Sequence, residues 1–129
     1  MASLTDKVAI VTGASRGIGR AIAVRLAKHG AKTVLCARTV GDLAAAVNEI
    51  EHAGGTPISI ALDLRLSESS AQLADFAFRH FGGIDIVANN AGATKRDAFL
   101  QLTDDDWLDG FALKFFGAVR LTRAAWPRL

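Results

Sequence analysis

At 129 residues, half of them hydrophobic, the chain has the size of one domain and enough apolar material for a core. A net charge of +2, spread over scattered basic residues, gives no reason to expect a nucleic-acid or membrane partner. The single cysteine excludes an internal disulfide, no apolar run reaches the length of a membrane span, and the first seven residues lack the apolar stretch of a signal peptide, so a cytoplasmic location is expected.

Strands and helices alternate along the chain. Val8–Thr12 is a short, nearly unbroken apolar run and reads as a strand buried on both faces. A helix follows, with Ile18, Ala21, Ile22 and Leu26 at spacings of three and four and Gly30 as its stop. Thr33–Ala37 is the second strand, with Cys36 a small core residue within it. Leu43, Val47 and Ile50 mark a second helix closed by Gly54 and Gly55, and Ile58–Leu62 is the third strand. Ser67 is the expected cap of a third helix with Leu73, Ala77 and Phe81 inward, ended by Gly82 and Gly83. The fourth strand is expected over 84–89. Thr103 then caps a last helix running to about Pro127, with Asp104, Asp105 and Asp106 favourable at its positive end rather than forming a metal cluster. His29, His52 and His80 each lie near a helix end and read as solvated; no Cys/His spacing suggests a metal site.

This order predicts an α/β fold: a Rossmann-type doubly wound parallel sheet of strand order 3-2-1-4, truncated after the fourth strand and its following helix. Residues 1–129 are expected to form one incomplete dinucleotide-binding domain. Ligand should bind at the carboxyl ends of the strands, near the switch between strands 1 and 4.

Thr12-Gly-Ala-Ser-Arg-Gly-Ile-Gly19 joins the first strand to the first helix. Gly13 permits the tight turn, Gly17 lets an anion approach the backbone, and Gly19 lets the helix pack closely. The helix N-terminus offers free N–H groups and partial positive charge to phosphates. The spacing is G-x-x-x-G-x-G, and no Lys-Ser or Lys-Thr follows, so this is not a triphosphate P-loop. The competing reading is an ordinary glycine-rich turn. At the end of strand 2, where NAD-binding folds carry a carboxylate for the ribose hydroxyls, the chain has Arg38. A guanidinium there binds a 2′-phosphate, and Arg16 is a second cation within reach, so NADP(H) is expected over NAD(H). The alternative is that Arg38 is a solvated loop residue. Asp42 reads as an early helix residue rather than a ribose ligand.

Thr12–Gly19, Asp63-Leu64 and Asn89-Asn-Ala-Gly92 together resemble the short-chain dehydrogenase/reductase family, in order and spacing, over the whole chain. The resemblance implies an oxidoreductase that moves hydride between a nicotinamide cofactor and a carbonyl or alcohol. It implies that Asp63 accepts from the adenine amino group and the Leu64 backbone donates to the ring, although Asp63 is also a common turn residue. It implies that Asn89 and Ala91 line the ribose and nicotinamide side, that Asn90 ties strand 4 to its neighbours, and that Gly92 leaves room for the cofactor. With the loop residues Gly13, Ser15, Arg16, Gly17, Ile18 and Gly19, and with Arg38, these are the candidate cofactor residues.

Two departures accompany the resemblance. The family's chemistry uses a Tyr-x-x-x-Lys pair and a Ser beyond a fifth strand, and this chain contains no tyrosine. No catalytic residue is therefore assigned, and the chain alone is expected to be inactive. The family also carries an Asn seven residues after a Trp, and counting from Trp107 lands on Lys114. Lys114 is either a cation in the cleft or a side chain that snorkels to solvent. The alternative function is a non-catalytic NADP(H)-binding module or degenerate member acting by association.

Apolar residues surround most of the last helix, from Trp107 and Phe111 through Phe115, Phe116 and Val119 to Trp126. That pattern predicts a buried helix. Both a subunit interface through 104–127 and cover by further chain fit it. Strand 4 would have an open edge, so self-association is expected.

Overall fold

The computed structural model describes residues 3–129. Its core is one parallel sheet of order β3-β2-β1-β4. The strands are β1 (Val8–Thr12), β2 (Lys32–Ala37), β3 (Thr56–Ala61) and β4 (Ile86–Ala88). Between them run α1 (Gly17–Lys28), α2 (Val40–His52) and α3 (Ser69–Phe81). After β4 come a 3₁₀ turn (Phe99–Gln101), α4 (Asp104–Phe111), a π-helical turn (Ala112–Phe116), α5 (Gly117–Ala125) and a final 3₁₀ turn (Trp126–Arg128). The doubly wound architecture is as expected. No helix among the described residues is long and apolar enough to cross a membrane.

The strand pleat divides the core into two layers. Val8 and Ile10 of β1, with Val34 and Cys36 of β2, face α3 and α5 and meet Leu73, Ala77, Ile84 and Leu121. Val11 and Leu35 point the other way, onto Ala23, Leu43, Ala46 and Ile50 of α1 and α2. Every residue of β1 is buried, as a central parallel strand covered on both faces must be. The two outer strands are only partly buried.

Several boundaries and faces differ from the sequence expectation. β3 runs from Thr56 to Ala61, because its ladder follows β2 from the pair Lys32–Thr56 to Ala37–Ala61. β4 is shortened to Ile86–Ala88, the three residues that β1 can pair. Ser67 does not cap α3; the helix begins at Ser69 after Glu68, and the Ser67 hydroxyl donates to the Glu68 carboxylate at 3.2 Å. The inward face of α1 is Gly19, Ala23 and Ala27, and Ile18 is 74% exposed. Small residues allow α1 to approach the sheet closely, which leaves the larger Ile22 and Leu26 at its flanks.

The same rule governs the last helical segment. It is not one helix to Pro127 but two α-helices joined by a π turn. Its buried face is Gly110, Gly117, Leu121 and Ala125. Trp107, Leu108, Phe111, Phe115, Phe116, Val119 and Trp126 are exposed in the single chain, so the chain itself does not supply the cover expected for this helix. Its start is as expected: the Thr103 hydroxyl accepts from the Asp106 N–H at 3.2 Å, and the Asp106 carboxylate accepts from the Thr103 N–H at 2.9 Å.

Candidate cofactor site

Because all four strands run parallel, the segments that leave them emerge at one edge of the sheet. These are 13–19 after β1, Arg38 after β2, Asp63-Leu64 after β3 and 89–92 after β4. Four sequence signals spread over 80 positions thus become neighbours at the topological switch point.

The glycine loop is fixed by its own backbone. Gly13 and Gly17 have φ of 61° and 59°, the left-handed region that favours glycine. A Cβ on Gly13 would lie 2.9 Å from the Asn90 amide nitrogen, and one on Gly19 would collide with the Gly13 carbonyl and the same amide. Gly19, on the buried face of α1, is therefore also needed where the glycine loop folds back on the helix. Gly17 differs: nothing lies within 4 Å of its Cβ position. Its surface is open where the other two are closed.

α1 starts without a cap. Arg16 occupies the N-cap position and makes no side-chain capping bond. Among the described residues no acceptor outside the helix serves the N–H groups of Gly17, Ile18 or Gly19. Ser, Thr, Asp or Asn would ordinarily satisfy such donors. Free donors, an open glycine and the positive helix end together suit an anion. Ser15 is in the turn with its hydroxyl unpaired among the described residues, and the exposed Arg16 and Arg38 make no ion pair there.

Thr12 holds the two halves of the crevice together. Its buried hydroxyl accepts from the N–H groups of Asn90 (3.0 Å) and Ala91 (2.9 Å). The Asn90 amide donates to the Thr12 and Gly13 carbonyls, both at 3.2 Å. Asn90 thus ties β4 to the glycine loop, as expected. The Asn89 amide instead reaches α5 and donates to Thr122 Oγ1 at 3.1 Å. Its side-chain oxygen is the group left for a ligand.

Asp63 is bound on two sides by one arginine. Arg65 Nε donates to Asp63 Oδ1 at 3.0 Å and Nη2 to Oδ2 at 2.9 Å, while the Arg65 N–H also donates to Oδ1 at 3.0 Å. The remaining arm of Arg65 reaches α4, with Nη1 3.0 Å from Asp109 Oδ1. The hydrogen bond from Arg65 is the main reason that the Asp63 carboxyl is held below its ordinary value of 3.8, with the charge of Arg38 a smaller contributor. Leu64 buries its side chain, and its N–H has no acceptor among the described residues. Asp42 lies in the first turn of α2 and accepts from Thr39 Oγ1 at 2.9 Å, which agrees with its helical reading. Burial pushes the Cys36 thiol up to about 12, so this cysteine is a core residue without reactivity at neutral pH.

Sequence reasoning missed Thr12, Arg65, Asp109 and Thr122. A hydroxyl at the end of an otherwise apolar strand was the one available signal, for Thr12. The contact between Arg65 and Asp109 spans 44 positions and has no local pattern.

The profile of the family described as short chain dehydrogenase matches residues 7–129. An uncharacterized oxidoreductase of Mycobacterium tuberculosis is 42% identical over 127 residues, which are 98% of this chain and 48% of that protein. A metagenomic short-chain oxidoreductase solved in complex with NADP superimposes with a TM-score of 0.93 at 39% identity, over 98% of this chain and 58% of the other. L-sorbose reductase from Gluconobacter frateurii, complexed with NADPH and L-sorbose, gives 0.91 at 36% identity, over 97% and 48%. The chain spans about half the length of the relatives it matches.

Proposed function

Because the chain belongs to the short-chain dehydrogenase family, we propose that it is the NADP(H)-binding part of an oxidoreductase acting on a carbonyl or alcohol. When bound, the nicotinamide cofactor supplies the hydride chemistry. The chain's own residues bind and orient it. The N–H groups of Gly17, Ile18 and Gly19 take the pyrophosphate, with Gly13 shaping the turn and Ser15 offering a hydroxyl. Arg38 and Arg16 take a 2′-phosphate. Asp63 and the Leu64 N–H take the adenine edge. Asn89, Ala91 and Gly92 form the wall towards the nicotinamide. We read residues 1–129 as one incomplete domain of this kind, lacking the Tyr and Lys that would move the proton.

The observation that carries this reading is the uncapped start of α1. Three backbone donors, an open glycine and an arginine at the cap position suit a bound phosphate. NADP(H) is preferred because a cation stands where a carboxylate would repel the 2′-phosphate. Fluorescence titration of the chain with NADPH and NADH tests both statements. NADPH should bind at least tenfold more tightly, the size of one charge-assisted hydrogen bond of about 1.5–3 kcal/mol. Equal affinities would refute the preference, and no binding of either would refute the cofactor site.

A second reading has its own support in the absence of tyrosine: a binding module that acts by association. Oxidation of NADPH with a panel of ketones should show no turnover by this chain under either reading. Turnover would overturn both. We further propose that the chain self-associates through the exposed apolar face of α4, the π turn and α5. That face is larger than isolated exposed residues, and the outer edge of β4 is also unpaired among the described residues.

A further inference from the structure

Lys114 sits within the π turn that joins α4 to α5. Short π segments interrupt the regular helical surface and are common at functional sites. The lysine stem does not run along its own helix. Cγ, Cδ and Cε lie 3.5, 3.6 and 3.8 Å from the position of a Cβ on Gly92. The side chain therefore crosses to the backbone that leaves β4 and lies along it.

The charged end is left free. Lys114 makes no ion pair or hydrogen bond among the described residues, whereas nearby Lys95 lies 3.6 Å from the Asp106 carboxylate and Arg65 is held by two aspartates. Beside Lys114 opens a cavity of about 420 Å³, walled by Leu102, Trp107, Phe111 and Phe115 with the Lys95–Asp106 ion pair also in its lining. Lys114 is exposed, as a snorkelling lysine is, but its stem does not extend over its own helix surface. This one is braced against a glycine at the ligand-binding edge of the sheet.

The strand order fixes what lies above Gly92. Arg38 and Asp63 follow β2 and β3, and the glycine loop follows β1. On the cofactor reading above, the adenine end lies over β2 and β3 and the pyrophosphate over β1. The other end of the dinucleotide must then extend over β4, to Gly92. A Cβ at Gly92 would make only ordinary contact with Lys114, so this chain's own packing does not require glycine there. Glycine there leaves the backbone open to a ligand.

We propose that Lys114 is a cofactor-positioning residue whose ammonium, braced on Gly92, donates to the ribose hydroxyls at the nicotinamide end of the dinucleotide. This rests on the cofactor reading. It assigns to α4–α5 a cation that serves one end of the ligand and not the other.

The test compares the whole cofactor with its adenine half. NADPH and 2′,5′-ADP are titrated against the unaltered chain, Lys114→Met, Lys114→Gln and Lys114→Arg. Loss of one charge-assisted hydrogen bond should weaken NADPH about tenfold in the Met and Gln variants. Binding of 2′,5′-ADP should change less than twofold, which also shows that the variants are folded. Arg should restore at least half of the lost affinity in logarithmic terms. Unchanged NADPH binding in the Met and Gln variants would overturn the inference, as would an equal loss for NADPH and 2′,5′-ADP. Failure of the unaltered chain to bind either compound would remove the cofactor reading itself, and this inference with it.

Discussion

The two sides of the ligand edge are built differently. On the β2–β3 side, Asp63, Arg65 and Asp109 form a closed chain of charge that links the strand end to α4. The ladder between β2 and β3 covers all six residues of each strand. On the β4 side the ladder is three residues long, and among the described residues the outer edge is unpaired and Lys114 has no ion pair or hydrogen bond; the aromatic side chains of the last helical segment stand exposed. The first side closes its acidic groups on Arg65 and leaves Arg38 and the Leu64 N–H without a partner among the described residues. The second presents groups that have no partner among the described residues.

The largest expected effect comes from closing the loop between the sides. Gly19→Val would drive a side chain into the Gly13 carbonyl and the Asn90 amide. It should abolish detectable NADPH binding and destabilise the fold by about 1–3 kcal/mol, the usual cost of overpacking. Urea denaturation and NADPH titration would read the two losses. A variant that binds normally would mean that the loop is not held as described.

The β4 side should yield next. Phe115→Glu combined with Trp126→Glu places two charges on the exposed face, where Trp126 is 71% exposed. Sedimentation velocity should shift from associated species to monomer, with little change in thermal stability. A unaltered chain that is already monomeric at high concentration would contradict the proposed association.

These contrasts follow what the sequence made legible. The strands were readable because burial on both faces demands unbroken apolar runs, as in Val8–Thr12. The glycine loop was readable because its backbone geometry restricts residue type. The helix faces were misread where the closest packing uses the smallest side chains. Gly19, Ala23 and Ala27 in α1, and Gly117, Leu121 and Ala125 in α5, carry the contact, while larger neighbours attract the eye. The π turn left no trace in periodicity. Asp63 was singled out, but the arginine that binds it was not, because ion pairing depends on tertiary placement.

The Asp63–Arg65 pair should have a smaller, pH-dependent effect. The Asp63 carboxyl titrates below 3.8 in the fold, so its contribution to stability is fully present above about that value. It is lost as the pH falls through the lower folded value. Thermal melts between pH 5 and pH 2.5 should therefore show a steeper acid decline for the unaltered chain than for Asp63→Asn. Parallel acid limbs would show that the pair adds nothing to stability. Smallest of all, Thr103→Ala removes the hydroxyl of the capping box and should cost about 1 kcal/mol in urea denaturation, with NADPH affinity unchanged.

The central claim is that the closed side of the edge selects NADP(H) by placing a cation after β2. Arg38→Asp tests it most directly, by measuring the ratio of NADPH to NADH dissociation constants before and after the charge is reversed. The expected result is a loss of at least tenfold in NADPH affinity with NADH affinity held or improved, so that the preference disappears or inverts. An unchanged ratio, or an equal loss for both cofactors, would contradict it.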